Sequence, residues 1–100
     1  MAEMLINSAQ IRAQADHLND LNVQFQSQVN ELKNIEATLN SSWDGEARAT
    51  FHNAFSSDVA QMDNFYKTIN EYIVALMQIA ARFEQAEARN VEVATERTYH

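Results

Sequence analysis

The side chains that could carry acid–base or metal chemistry are few and widely spaced. His17, His52 and His100 are the only imidazoles in the 100-residue chain, which contains no cysteine. Neither His17 nor His52 follows a Glu by three residues, so the paired Glu-x-x-His ligands of a di-iron helical bundle are missing. No hydroxyl nucleophile lies at helical spacing from a histidine with a third orienting group. The sequence therefore predicts no metal site, no cofactor and no enzymatic activity.

The composition of the chain argues against several classes of ligand. With Gly45 as its single glycine, the chain cannot form a glycine-rich phosphate loop. Asp58 falls on an apolar helix face near the expected turn, where a lone acid is a solvated interruption. The chain has 14 acidic and 7 basic residues, a net charge of −7, and the basic residues are scattered singly. We therefore expect no nucleic-acid partner, no adsorption to an anionic membrane and no small-molecule substrate.

The three-residue step Trp43-Asp44-Gly45 contains the only tryptophan and the only glycine of a chain without proline. A chain that reverses between two helices needs backbone angles that only glycine adopts freely. Asp44 or Gly45 can then cap the second helix. We expect the Trp43 ring to close the core at the turn by packing on Phe51 or Phe55.

The first half of the chain has the apolar period of one helix face. Asn7 can serve as the N-cap with Gln10 three residues on, so we place this helix at about residues 8–41. Its seven-spaced spine consists of Ile11, Leu18, Phe25, Leu32 and Leu39, and weaker series flank it on both sides.

The second half is more regular and predicts a helix over about residues 45–87, after a turn at 42–45. Its seven-spaced spine is Phe55, Met62, Ile69, Leu76 and Phe83, with further apolar series beside it. Residues 1–7 are expected to form a short arm. Residues 88–100 have no apolar period and are expected to form a flexible tail. Two long helices joined by a short turn must be antiparallel.

The expected fold is therefore all-α, an antiparallel helical hairpin that pairs as a dimer into a four-helix bundle. Each helix is apolar at three positions in seven, and two helices cover only part of such faces, so a second hairpin should cover the rest. We expect a homodimer with an isologous interface. Polar Asn22, Gln28 and Glu36 could instead mark a heterodimer with a related hairpin protein. The predicted core and dimer face comprises Leu18, Phe25, Leu32, Leu39, Phe55, Met62, Phe65, Ile69, Tyr72 and Leu76.

The pattern resembles a known family. A central Trp-x-Gly step, a length of about a hundred residues and two amphipathic helices make residues 8 to 87 similar to the WXG-type (ESAT-like) substrates of bacterial type VII secretion. The resemblance implies export of a folded dimer without a cleaved signal peptide, and recognition by the membrane ATPase of the secretion system. The protein would be cytoplasmic before export and extracellular afterwards.

The resemblance also implies an export signal in two parts. One part is the Trp-x-Gly turn of one protomer, here Trp43, Asp44 and Gly45. The other is a Tyr-x-x-x-Asp/Glu element after the second helix of its partner, which Phe83 and Glu87 match with Phe in place of Tyr. The N-terminal sequence MAEMLINSAQIR is expected to be neither a signal peptide nor an anchor.

Two other interpretations are compatible with the sequence. An intracellular adaptor could use the uncovered apolar face to bind a helix of another protein. A chaperone-like partner could pair with a larger secreted toxin that has a similar hairpin, as some members of the family do.

Overall fold

The computed structural model describes residues 6–98, with side chains described for residues 6–91. Two helices account for almost all of this range: α1 at Ser8–Ser42 and α2 at Glu46–Thr98. The described residues contain no strand. The structure therefore confirms the all-α helical hairpin.

The chain groups into two compact units. The turn unit is Asn19–Asn70, and the end unit comprises the residues up to Leu18 and from Glu71 onward. Each unit contains one segment of α1 and one segment of α2.

Helix α1 begins with the capping box that the sequence predicts. The Gln10 N–H donates to Asn7 Oδ1 at 2.9 Å, and the Asn7 N–H donates to Gln10 Oε1 at 2.9 Å. The Ile11 N–H closes the first helical turn on the Asn7 carbonyl at 3.1 Å. This exchange satisfies two backbone donors that have no partner within the helix.

Helix α2 differs from the sequence-based expectation at its end. It continues through residues 88–98 and ends at Thr98, where we expected a flexible tail after Glu87. The physical reason is that a segment without an apolar period has no face to pack against another helix, but it can still be helical. The segment is mostly Ala, Glu and Arg, which favour helix, and contains neither Pro nor Gly to stop it. Residues 99 and 100 of the expected tail, and residues 1–5 of the expected arm, lie outside the described residues.

The most buried line of α1 recurs every seven residues, and we call it the seam. Its exposed fractions are 8% at Ser8, 1% at Ala15, 3% at Asn22, 4% at Val29 and 8% at Glu36. The corresponding line of α2 runs through His52, Val59, Tyr66, Ile73 and the fully buried Ala80. The seam lies beside the apolar spine predicted for α1, because Leu32 and Leu39 keep 41% and 43% of their surface exposed. Small and polar residues therefore line the α1 side of the seam.

The two flanks of the seam differ in chemistry. A residue four positions after a seam residue lies on one side of the helix, and a residue three positions after it lies on the other. In both helices the first flank carries charges, including Arg12, Lys33, Asp63 and Glu84. The second flank carries the two apolar spines predicted from sequence, which begin at Ile11 in α1 and Phe55 in α2. Each helix therefore has a charged flank and an apolar flank.

Candidate functional site

The Trp-x-Gly step forms the connection between α1 and α2 in the turn unit. Gly45 adopts φ +112°, the one positive φ among the described residues. Its carbonyl accepts a hydrogen bond from the Ala49 N–H at 3.4 Å, which gives Gly45 the role of N-cap for α2. A Cβ at this position would meet no atom within 4 Å, so backbone conformation alone explains the need for glycine.

Trp43 lies just after α1 and packs against α2 as the sequence predicts. Its ring centroid is 5.8 Å from that of Phe51, with a 44° angle between the ring planes. Phe51 in turn lies 6.1 Å from Phe55. Trp43 keeps 38% of its surface exposed, and Phe51 keeps 39%. The aromatic cluster therefore closes the turn and still has exposed apolar surface.

Polar contacts fix the two helix ends beside this cluster. The hydroxyls of Ser41 and Ser42 donate to the Thr38 carbonyl at 2.8 and 3.0 Å, which satisfies a carbonyl in the last turn of α1. Arg48 Nη1 donates to Asn40 Oδ1 at 2.8 Å and ties the first part of α2 to the last part of α1. These contacts connect the last turn of α1 to the first part of α2.

The second candidate element, Phe83 and Glu87, belongs to the end unit. Phe83 is half-buried on the apolar flank of α2. Glu87 occupies the seam position seven residues after Ala80, and its carboxylate accepts two hydrogen bonds from Ser8. The Ser8 hydroxyl donates to Oε1 at 2.7 Å, and the Ser8 N–H donates to Oε2 at 3.2 Å. Sequence patterns could not predict this contact, because it joins positions 79 residues apart.

An ion pair lies beside this contact on the charged flank of the end unit. Arg12 donates from Nε to Glu84 Oε2 at 2.8 Å and from Nη2 to Oε1 at 2.7 Å. The hydrogen bond from Arg12 is the largest cause that lowers the pKa of the Glu84 carboxyl below its ordinary value. The same hydrogen bond raises the pKa of Arg12. In the turn unit, Lys33 Nζ lies 3.5 Å from Asp63 Oδ2 on the same flank of the helices.

The apolar flank and the apolar series next to it stay partly exposed in each unit. In the turn unit, Phe25 packs edge-on against Phe65 with centroids 5.4 Å apart, yet Phe65 stays 54% exposed. In the end unit, Tyr72 is 56% exposed. Half-buried members of the predicted face are Leu18, Phe25, Phe55, Met62, Ile69 and Leu76, and exposed members are Leu32, Leu39, Phe65 and Tyr72. The sequence-based expectation that part of this face stays uncovered by the hairpin agrees with these exposures.

Two polar residues of the seam find partners within the turn unit. Asn22 Nδ2 donates to the Tyr66 carbonyl and to Asn70 Oδ1, each at 3.1 Å. Glu36 Oε2 lies 2.7 Å from His52 Nδ1. Asn22 and Glu36 therefore have polar contacts with α2 of the same chain, and a heterodimer with a related hairpin protein stays a prediction. Gln28, the third polar residue considered, is exposed.

The described part of the chain offers little for other chemistry. No group of three His, Cys, Asp or Glu side chains within it could hold a metal ion. No helix in the same part of the chain is long and apolar enough to cross a membrane.

Comparison with known proteins relates this arrangement to a family. Two solved structures of the secreted protein EsxB from Bacillus anthracis strain Sterne are similar to this chain. The selenomethionine form is 24% identical, with a TM-score of 0.77, and the match covers 87% of this chain and 99% of that one. The wild-type form is 25% identical, with a TM-score of 0.75, and the match covers 84% and 97%. A comparison with curated proteins finds no match.

The family assignment rests on a match that includes both candidate elements. Residues 3–88 match the model of WXG100, described as proteins of 100 residues with WXG. That range contains the turn step Trp43-Asp44-Gly45 and extends past Glu87. The chain therefore belongs to the WXG100 family.

Proposed function

We propose that this protein is a non-enzymatic helical hairpin that a bacterial type VII secretion system exports as a folded dimer. The observation that carries the proposal is the one-sided apolar flank of a hairpin whose family includes secreted proteins. EsxB, which has the same fold, is described as a secreted protein.

The dimer follows from the surface that the single chain leaves exposed. Leu32, Ile35 and Leu39 of α1 are 41%, 58% and 43% exposed, and Phe65 of α2 is 54% exposed. Monomeric soluble proteins rarely expose contiguous apolar patches larger than a few hundred Å². A second hairpin that presents the same flank would bury these side chains and complete a four-helix bundle. A homodimer would place identical flanks against each other in an isologous interface.

The export signal would combine residues from both protomers. The turn of one protomer contributes Trp43, Asp44 and Gly45, and α2 of its partner contributes Phe83 and Glu87. Both elements are on the protein surface in part, since Trp43 is 38% exposed and Glu87 is exposed. The two elements belong to different units of the chain. A signal that requires two protomers would restrict export to the assembled dimer.

The receptor would be the membrane ATPase of the secretion system. An acidic side chain one helical turn after an aromatic ring presents a charge and an apolar surface on one helix face. A receptor site with a basic group and an apolar pocket would match both features. Phe83 lacks the hydroxyl of the Tyr in the family pattern, so its contribution here would be apolar.

The experiment is export from the native host. Wild type, Trp43→Ala and Glu87→Ala are compared in washed culture supernatant and cell pellet, with a cytosolic marker for lysis. Glu84→Ala is the matched control, because it removes an acid from the same unit but lies outside the signal. We expect wild type and Glu84→Ala outside the cell, and Trp43→Ala and Glu87→Ala retained inside as folded protein. Retention of wild type while the apparatus is active would refute export and favour the intracellular adaptor.

A further inference from the structure

We propose that Ser8 masks Glu87, so that the acid of the export element must leave the N-terminus of α1 before a receptor can bind it. The proposal rests on the proposed function for the role of Glu87 in export. It adds a residue of α1, far from both signal elements in sequence, that controls the availability of one of them.

The contact occupies both oxygens of the Glu87 carboxylate. Oε1 accepts the Ser8 hydroxyl at 2.7 Å, and Oε2 accepts the Ser8 N–H at 3.2 Å. Ser8 is 8% exposed, so the donors lie at the end of the seam and not on the open surface. A carboxylate held by two donors in this way resembles one bound by a receptor through a bidentate contact. A receptor that bound these two oxygens in the same way would compete with Ser8 for them.

The Glu87 carboxylate stabilises the N-terminus of α1. The first turn of α1 contains no acidic residue, whereas the first turn of α2 contains Glu46. The partial positive charge at a helix N-terminus favours a nearby carboxylate. The capping box of Asn7 and Gln10 leaves the Ser8 N–H without a partner in α1, and Glu87 accepts its hydrogen bond. Glu87 thus supplies from α2 the negative charge that α1 lacks.

The seam gives a second, independent reason for the contact. Ser8 is the first seam residue of α1, seven positions before Ala15, and Glu87 is the seam position seven after Ala80. Helix packing in the end unit therefore directs Glu87 towards α1. Phe83, in contrast, lies on the open apolar flank. The two residues of the export element therefore differ in their contacts: Glu87 is exposed as a residue, but both of its carboxylate oxygens accept hydrogen bonds from Ser8, whereas half-buried Phe83 belongs to the apolar flank.

The apparent affinity of the receptor equals its intrinsic affinity multiplied by the fraction of molecules in which Glu87 is free of Ser8. Removal of the Ser8 hydroxyl should raise that fraction. We expect the initial rate of export of Ser8→Ala to be roughly two- to tenfold higher than that of wild type, which is the ratio that corresponds to one net hydrogen bond. Ser8→Asp should do the same with less loss of stability, because it repels Glu87 and gives α1 its own first-turn acid.

A double-mutant cycle tests the contact itself. Melting temperatures of the purified full chain and its variants are measured at one protein concentration. Ser8→Ala and Glu87→Ala should each lower the melting temperature, and the double variant should melt no lower than the lower single variant. The matched cycle of Ser8→Ala with Glu84→Ala should be additive, because Glu84 pairs with Arg12. Additivity in the Ser8 and Glu87 cycle would show that the contact does not form in solution and would overturn the proposal.

Export separates the mask from the function on which it rests. If Glu87→Ala is retained while Ser8→Ala and Ser8→Asp are exported faster than wild type, the mask is supported. If Glu87→Ala is retained and both Ser8 variants are exported at or below the wild-type rate, Ser8 does not mask the signal, and the proposed function stands alone. Normal export of Glu87→Ala would refute the role of Glu87 in export and the mask together.

Discussion

Asn22 and Asn70 join α1 to α2 by a hydrogen bond of 3.1 Å between their side chains, although 48 residues separate them in sequence. Asn22 also donates to the Tyr66 carbonyl, and it is 3% exposed. A buried amide with both donors satisfied favours the one register in which its partners are opposite. The polar seam residue thus contributes to the alignment of the helices in the turn unit.

The first prediction is that Asn22→Ala destabilises the protein by about 1–3 kcal/mol, because it leaves buried polar groups without partners. For a domain of this size each kcal/mol lowers the melting temperature by roughly 4–8 °C. Asn30→Ala makes the same chemical change at an exposed position of α1 and should stay within about 0.5 kcal/mol of wild type. Thermal unfolding of both variants measures the difference. Equal melting temperatures would show that the Asn22 contacts do not stabilise the hairpin.

The second prediction concerns the backbone of the turn. Gly45→Ala should lower the free energy of unfolding by about 1–3 kcal/mol, because an L-residue is strained at φ +112°. Steric overlap cannot be the cause, since no atom lies within 4 Å of the added Cβ. Asp44→Ala, next to it in the turn, is the control and should have a smaller effect. A Gly45→Ala protein as stable as wild type would mean that the turn relaxes to an ordinary φ.

The third prediction concerns the apolar flank. Ile35→Glu should convert the dimer to a species with the mass of one 11.4 kDa chain, because a charge at an apolar interface is costly to bury. Val23→Glu is the matched control. Both residues are in α1 of the turn unit and are 58% and 52% exposed, but Ile35 lies one helical turn from Leu32 and Leu39, whereas Val23 lies on the opposite side of the seam. Light scattering with size-exclusion chromatography measures the mass. A wild-type protein that is a monomer would contradict the dimer directly.

The fourth prediction is a pH dependence from the Arg12–Glu84 pair. A carboxyl whose folded-state pKa is lowered contributes stability above its unfolded pKa and loses it as pH falls through the folded pKa. Glu84 is such a group, with an ordinary value of 4.5. Arg12→Gln should therefore lower the melting temperature most at neutral pH, and the difference from wild type should shrink below about pH 4.5. Arg82→Gln, at an exposed arginine of the same unit, should show no such trend.

Local signals in the sequence were sufficient for the main features of the fold. Asn7 and Gln10 lie three residues apart and define the start of α1, and Gly45 is the one residue able to take the turn conformation. Both features depend on neighbouring residues only. The end of α2 was mispredicted because helix propensity continued the helix where the apolar period had stopped.

The cross-helix contacts of the site could not be predicted from sequence. The partners of Asn22 and Glu36 depend on the register of α1 against α2, which periodicity within one helix does not specify. The same holds for Ser8 and Glu87. The Leu and Phe series of α1 is the more regular pattern in the sequence, but the most buried line of α1 is the neighbouring, partly polar series.

Export of Ile35→Glu and Val23→Glu, measured beside wild type in the native host, tests whether the protein leaves the cell as a dimer. A protein exported as a folded dimer should leave Ile35→Glu in the cell pellet and release Val23→Glu to the supernatant at the wild-type level. Both variants retain Trp43, Gly45, Phe83 and Glu87, so their difference reports on the dimer alone. Equal release of Ile35→Glu and Val23→Glu would contradict export as a dimer, and no release of wild type would contradict export itself.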